Sequence, residues 1–148
     1  MFNPDQFLDT QVTESNSTES IPVPVGEYTA VIGEVKCRPW QKKDDPSVAG
    51  LALDLSWEID DEAVKELLGR TKITVKQGAM LDLTDSGGLD MGKGRNVTLG
   101  RLRDAVNLNQ AGQPFAFSML VGRIAKVKVE HRVNGDQIFT EVKAVAKL

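Results

Sequence analysis

A mainly β domain with an extended arm in front of it is predicted by three features of the chain. Five runs are alternating or valine-rich, one stretch has apolar residues at helical spacing, and the N-terminus is polar and acidic. Alternation marks strands because successive side chains on a strand point to opposite faces. At 148 residues the chain has enough length for one domain with a full core.

Residues 1–24 read as the arm. Met1–Ser20 holds four acids and no Lys or Arg, and Thr13 to Ser20 is polar throughout, a composition that cannot build its own core. Phe2, Phe7, Leu8 and Val12 could anchor it as a short amphipathic turn on a body or a neighbour. Ile21 to Gly26 is an extended lead-in, since Pro22 and Pro24 push the residues before them out of the helical region.

The domain proper is expected over residues 25–148. Its first strand spans Glu27–Arg38, with Val31, Val35 and Cys37 on one parity and Tyr28, Ala30 and Ile32 on the other. Cys37 is the single cysteine, so no internal disulfide or cysteine metal cluster forms, and its place in a strand predicts a buried, inert thiol. A loop from Arg38 to Pro46 follows. Leu51, Leu53, Leu55, Trp57 and Ile59 then alternate against Ala52, Asp54, Ser56 and Glu58, which puts Trp57 in the core. Asp60-Asp61-Glu62 begins a short turn or helix through Leu68 that Gly69 ends, acids being favoured at a helix start.

The third strand covers Arg70–Leu83, with Lys72, Thr74 and Lys76 on the polar parity. After the glycine-rich segment 85–96, Asn96 or Thr98 can cap a helix carrying Leu99, Leu102 and Val106. Pro114–Leu120 is a short apolar element. Arg123–Lys147 is a hairpin about Asn134-Gly135, where a type I′ turn sets Val133 opposite Asp136. One face then pairs Val127 with Val142, Val129 with Thr140, and His131 with Ile138. The other pairs Lys126 with Lys143, Lys128 with Glu141, and Glu130 with Phe139. Two facing lysines repel, unless a polyanion lies across them. Five strands with one helix between the third and fourth is the pattern of an OB-like barrel; a small β-sandwich with an added helix is the competing architecture.

Catalytic signatures are absent. The only histidine, His131, has no imidazole partner, and no Ser/His/Asp, Cys/His or metal-ligand spacing occurs. Gly87–Lys93 satisfies G-x-x-x-x-G-K, yet Gly94 stands where Ser or Thr should hold magnesium. A basic glycine loop near a phosphodiester, or a plain loop, fits better than nucleotide hydrolysis. No enzyme activity, cofactor or metal is expected. No apolar run reaches membrane-spanning length and the N-terminus lacks a basic-then-apolar signal, so a cytoplasmic protein is expected.

Charge is divided unevenly. Residues 1–90 carry 8 Lys/Arg against 17 Asp/Glu, and residues 91–148 carry 10 against 4, within a net charge of -3. Such a split suits either nucleic-acid binding by one part or association between parts. The candidate nucleic-acid-binding residues are Arg38, Trp40, Lys42 and Lys43 in the first loop, Lys72 and Lys76 on strand three, and Lys93 and Arg95 in the glycine loop. Lys126, Lys128, Phe139 and Lys143 on the hairpin complete the set. Cations track phosphates while aromatic rings stack bases. Trp40 is the central residue; its alternative is packing over the barrel end beside Pro39.

Over most of residues 22–148 the chain resembles a family of small tailed-phage proteins regarded as single-stranded DNA-binding proteins of OB type. The likeness lies in Pro24–Ile32, Gly50–Ile59 and Gly69-Arg70, then in Leu99-Gly100-Arg101-Leu102 and Val121–Val129. It implies non-specific coating of single-stranded DNA in phage replication or recombination, in the host cytoplasm, without catalysis. Many such proteins recruit replication partners through an acidic C-terminal tail; this chain ends Val142-Lys143-Ala144-Val145-Ala146-Lys147-Leu148. Either the acidic arm takes that role or recruitment is absent. The alternative function is a structural or assembly protein that self-associates through residues 1–24.

Overall fold

The computed structural model describes residues 2–18 and 20–148. Five strands form one antiparallel sheet: β1 (Gly26–Gln41), β2 (Ala49–Ile59), β3 (Ile73–Met80), β4 (Ile124–Asn134) and β5 (Gln137–Ala146). Their hydrogen-bonded order is β3-β2-β1-β4-β5. Short helices are α1 (Pro4–Phe7), α2 (Glu62–Leu68) and α3 (Val97–Ala105), with a 3₁₀ turn at Phe117–Leu120. The chain is mainly β, and α3 lies in sequence between β3 and β4. The end strands β3 and β5 come within 8 Å at Cα, yet no ladder joins them among the described residues, so the sheet stays open. No helix among these residues is long and apolar enough to cross a membrane.

One sheet face builds the core. Ile32, Leu53, Ile59, Ile73, Val127 and Val129 are fully buried there, covered by Leu99 and Leu102 of α3 and by Leu120. Trp57 is 0 % exposed and its Nε1 donates to Gln77 Oε1 at 2.7 Å across the β2–β3 pair. A buried indole needs that acceptor, because an unmade hydrogen bond in the interior is costly. The start of α2 is capped by Asp61, which accepts from Val64 N at 3.0 Å, and Gly69 ends it at φ +64°.

Two bulges set which side chains face the core. In β1 the register shifts between Ile32 and Glu34, so Ile32 and Val35 both turn inward although three residues apart. The switch of parity visible in the sequence is this bulge. In β5 the shift leaves Lys143 as the extra residue, and Val142 and Val145 both pack on the core. A regular strand would have turned Val145 outward.

The hairpin register differs from the sequence-based expectation. Asn134 pairs with Gln137, which leaves Gly135-Asp136 as the two-residue loop. Gly135 takes φ +62° and Asp136 is not left-handed, the pattern of a type II′ turn with glycine first. The slip is two residues from the tip to Val129 and three beyond the bulge, so every partner changes; β4 keeps its expected faces, and β5 keeps them as far as Val142. Val129 faces Val142, His131 faces Thr140, and Val127 faces Val145. On the outer face Lys126 meets Ala146, Lys128 meets Ala144, Glu130 meets Glu141, and Arg132 meets Phe139. The expected lysine opposition does not exist.

Other corrections follow from where β1 ends. The strand runs on to Gln41, taking Arg38, Pro39 and Trp40 out of the expected loop. Beyond Val31, β4 no longer pairs with β1, and the outer half of that strand is an edge where proline is tolerated. Cys37 lies on this uncovered half and is exposed, not buried. Asn96 occupies the N-cap position of α3 but makes no capping hydrogen bond. Its side chain instead donates to Asp82 O at 2.9 Å and Asp90 O at 3.0 Å, and accepts from Asp82 N at 2.7 Å. The asparagine is thus spent on fastening the glycine loop.

The arm makes a helix of one turn, with the Asn3 side chain accepting from Asp5 N and Gln6 N. Every described residue from Phe2 to Thr18 is exposed. The lead-in is tied down: Tyr28 Oη donates to Pro24 O at 2.6 Å, and His131 Nε2 bonds Val23 O at 2.5 Å. Burial, and secondarily the Asp61 charge, raise the Tyr28 pKa, so this phenol stays protonated and able to donate.

Candidate nucleic-acid interface

After the bulge in β1, its outward row is Glu34, Lys36, Arg38 and Trp40. Register places these beside Ser56, Asp54, Ala52 and Gly50 of β2, and β3 adds Lys76, Gly78 and Met80. Ala52 is only 1 % exposed although it sits on this outward face, between Arg38 of β1 and Met80 of β3.

Trp40 is half-buried, and the reason is Gly50 opposite it. A Cβ built on Gly50 would stand 3.0 Å from Cε2, Cζ2 and Nε1 of the indole. The ring therefore lies over the glycine backbone, a seat that any side chain at position 50 would invade. Nε1 is shielded from solvent and meets no acceptor among the described residues. What remains exposed is part of the ring system, not its polar atom.

Charges on this face are partly neutralised. Arg38 Nε lies 2.8 Å from Asp54 Oδ2, and Lys36 Nζ lies 2.7 Å from Glu34 Oε1. The Lys36 hydrogen bond and charge, aided by Lys76 and Lys72, hold the Glu34 carboxyl below its usual range. Lys76 donates to Ser56 Oγ at 2.9 Å, a neutral partner, and acts on Glu34 through charge alone. Lys42, Lys43, Lys72 and Lys76 form no ion pair among the described residues. A groove of about 350 Å³ runs between Lys36 and Lys76, with Asp54 and Gly78 along it.

Five predicted residues share this row and its adjoining loop: Arg38, Trp40, Lys42, Lys43 and Lys76. Lys72 precedes Ile73, which is in register with Ile59 and Ala30, so it lies at the Thr29 end of the same face, about 35 Å along the strand from Trp40. The others lie elsewhere. Lys126 and Lys128 stand on the outer face of β4 beside Thr29 and Glu27, at the opposite end of β1 from Arg38 and Trp40, about 30–43 Å away along the strand. Lys128 is also bound to Glu130 at 3.5 Å. Phe139 sits near the hairpin tip with the Arg132 guanidinium 5.1 Å from its ring centre, and Arg132 reaches Glu141 at 2.6 Å. Lys143 is the bulge residue, turned toward α3 and away from Lys126.

Lys93 and Arg95 belong to the glycine loop, where Arg95 is 3.7 Å from Asp90. That loop does not cradle an anion with free amides. Gly87 N donates to Thr84 O, Gly88 N to Thr84 Oγ1, and Gly92 N to Asp90 Oδ1. The sheet before it is antiparallel, whereas a phosphate-binding loop of the G-x-x-x-x-G-K kind needs a parallel one.

Lys36 and Gly50 were missed by sequence reasoning. The signal for Lys36 was the parity switch around Gly33; for Gly50, none exists in the local sequence, because the contact depends on strand pairing. No group of three or more His, Cys, Asp or Glu among the described residues could hold a metal ion. Compared with known proteins, the chain matches no protein-family model and no curated sequence.

Proposed function

We propose that this protein binds single-stranded DNA without sequence preference, using the outer face of β1, β2 and β3. The observation that carries this is the indole of Trp40 seated on Gly50, with Lys42 and Lys43 in the adjoining loop and Lys76 and Lys72 farther along the same outer face, none of the four in an ion pair among the described residues. Single strands are held where cations follow the backbone and an aromatic ring offers a base something to stack on. Support for an OB-type barrel comes from the neighbour order, with β5 coming round beside β3, and from α3 between β3 and β4. In that architecture the first interstrand loop and strands two and three form part of the ligand face.

The resemblance to tailed-phage proteins extends the proposal to coating of phage DNA in replication or recombination in the host cytoplasm, with other replication proteins as partners. The test is a fluorescence titration with oligo(dT) at two salt concentrations. Trp57 is sealed in the core, so quenching would report Trp40. Saturable quenching that weakens with salt supports DNA binding; no binding at low salt overturns it.

A second reading, assembly through the arm, is favoured by the exposure of every described residue from Phe2 to Thr18.

A further inference from the structure

Four large apolar side chains of the arm, Phe2, Phe7, Leu8 and Val12, are 72 % to 96 % exposed. The same stretch carries Asp5, Asp9 and Glu14 and no cation. Apolar groups held in water alongside acids call for a surface that is apolar and basic. The molecule has one at the seam where β3 and β5 fail to pair. There a cleft of about 320 Å³ lies between the two strands and α3. Leu102, Ala144 and Val145 give it an apolar lining, and Arg101, Lys143 and Lys147 outnumber Asp104. None of these three cations is in an ion pair among the described residues.

We propose that the arm of one copy docks in the seam cleft of a second copy. The apolar lining suits the arm better than a nucleic acid, because among the described residues no aromatic side chain lines the cleft for a base to stack on. The chain's own arm leaves the cleft open in this structure, every described residue from Phe2 to Thr18 being exposed, and so the arm of a second copy is the occupant. Thr18 and Ser20 lie beside Gln137–Phe139 at one end of β5, and the cleft lies at the other, about 20 Å along the strand. A contact between two different surfaces is head-to-tail and propagates from copy to copy unless a ring closes. Proteins joined this way would sit side by side along a strand, so the proposal also adds cooperativity to the DNA reading without depending on it.

The test is the mass in solution without DNA, by sedimentation or light scattering at low salt over a concentration series. The full chain is expected to self-associate. A chain lacking residues 2–18, and the exposed-site variant D5K/D9K/E14K, are each expected to remain monomeric. So is the cleft variant R101E/K143E/K147E. Mixing the cleft variant with the truncated chain restores one contact and should give a 1:1 heterodimer that grows no further. Mixing the two charge-reversed variants makes two contacts available, native arm in native cleft and basic arm in acidic cleft, and should let assembly grow again, even if one variant were less stable. A full chain that stays monomeric throughout overturns the proposal, as does truncated chain that still assembles. A cleft variant that binds a short oligo(dT) more weakly with unchanged mass would assign the cleft to DNA instead. Because assembly is read without DNA, and DNA binding by the truncated chain on a short oligonucleotide, failure of either proposal is distinguishable from failure of the other.

Discussion

Removing the Trp40 ring and removing lysines should change DNA binding in different, separable ways. Phosphate contacts release counterions, so affinity for single strands falls with salt at a slope of about -0.7 per neutralised phosphate on logarithmic axes. The face and its adjoining loop carry four cations that form no ion pair among the described residues, Lys42, Lys43, Lys72 and Lys76, which gives a slope of about -3. Between about 50 mM and about 200 mM salt the affinity should then drop about 50-fold. The double variant K72A/K76A loses two contacts, so its slope falls to about -1.4 and its loss over that range to about 7-fold. Trp40→Ala removes stacking of ~1–3 kcal/mol, about 5- to 150-fold in affinity, and leaves the slope alone. Anisotropy of a labelled oligo(dT), read at four or more salt concentrations, measures both quantities for each variant. If W40A changes neither affinity nor slope, or K72A/K76A retains the parent slope, this face is not where DNA lies.

The seat of the indole can be tested without touching the indole. Gly50→Val places side-chain atoms within about 3 Å of the ring and must displace it; its oligo(dT) affinity should fall as far as that of W40A, with the fold checked by circular dichroism. Glu34→Gln frees Lys36 from its 2.7 Å partner, so the same anisotropy series should show a slope steeper by about 0.7. Trp57→Ala empties a site that is 0 % exposed and should cost ~3–5 kcal/mol in urea unfolding. Asp61→Ala removes the cap on Val64 N and should cost ~1 kcal/mol in the same assay.

The core was legible because burial leaves a period in the sequence. Leu53, Leu55, Trp57 and Ile59 alternate against polar neighbours, and all four are buried. Asp61 and Gly69 mark the ends of α2 by the local needs of helix termini. The hairpin was legible as a hairpin, and its faces were right as far as Val142, but its partners were not. Asn134-Gly135 and Gly135-Asp136 are both acceptable loop dipeptides with different turn types, so the local signal admits two registers. The register adopted carries a bulge at Lys143 that lets Val142 and Val145 pack on the core together.

The candidate site shows the same division. Alternation alone determined that Lys72 and Lys76 leave the sheet on the side opposite Ile73 and Val75, and that Trp57 is core. Only the tertiary structure decided that Trp40 rests on Gly50, that Lys36 and Arg38 are claimed by Glu34 and Asp54, and that Lys143 faces α3 rather than Lys126. The direction of a strand side chain is a property of its own backbone, with a period of two. Its neighbours across the ladder are fixed by register, and register is settled by the packing of residues far apart in the chain.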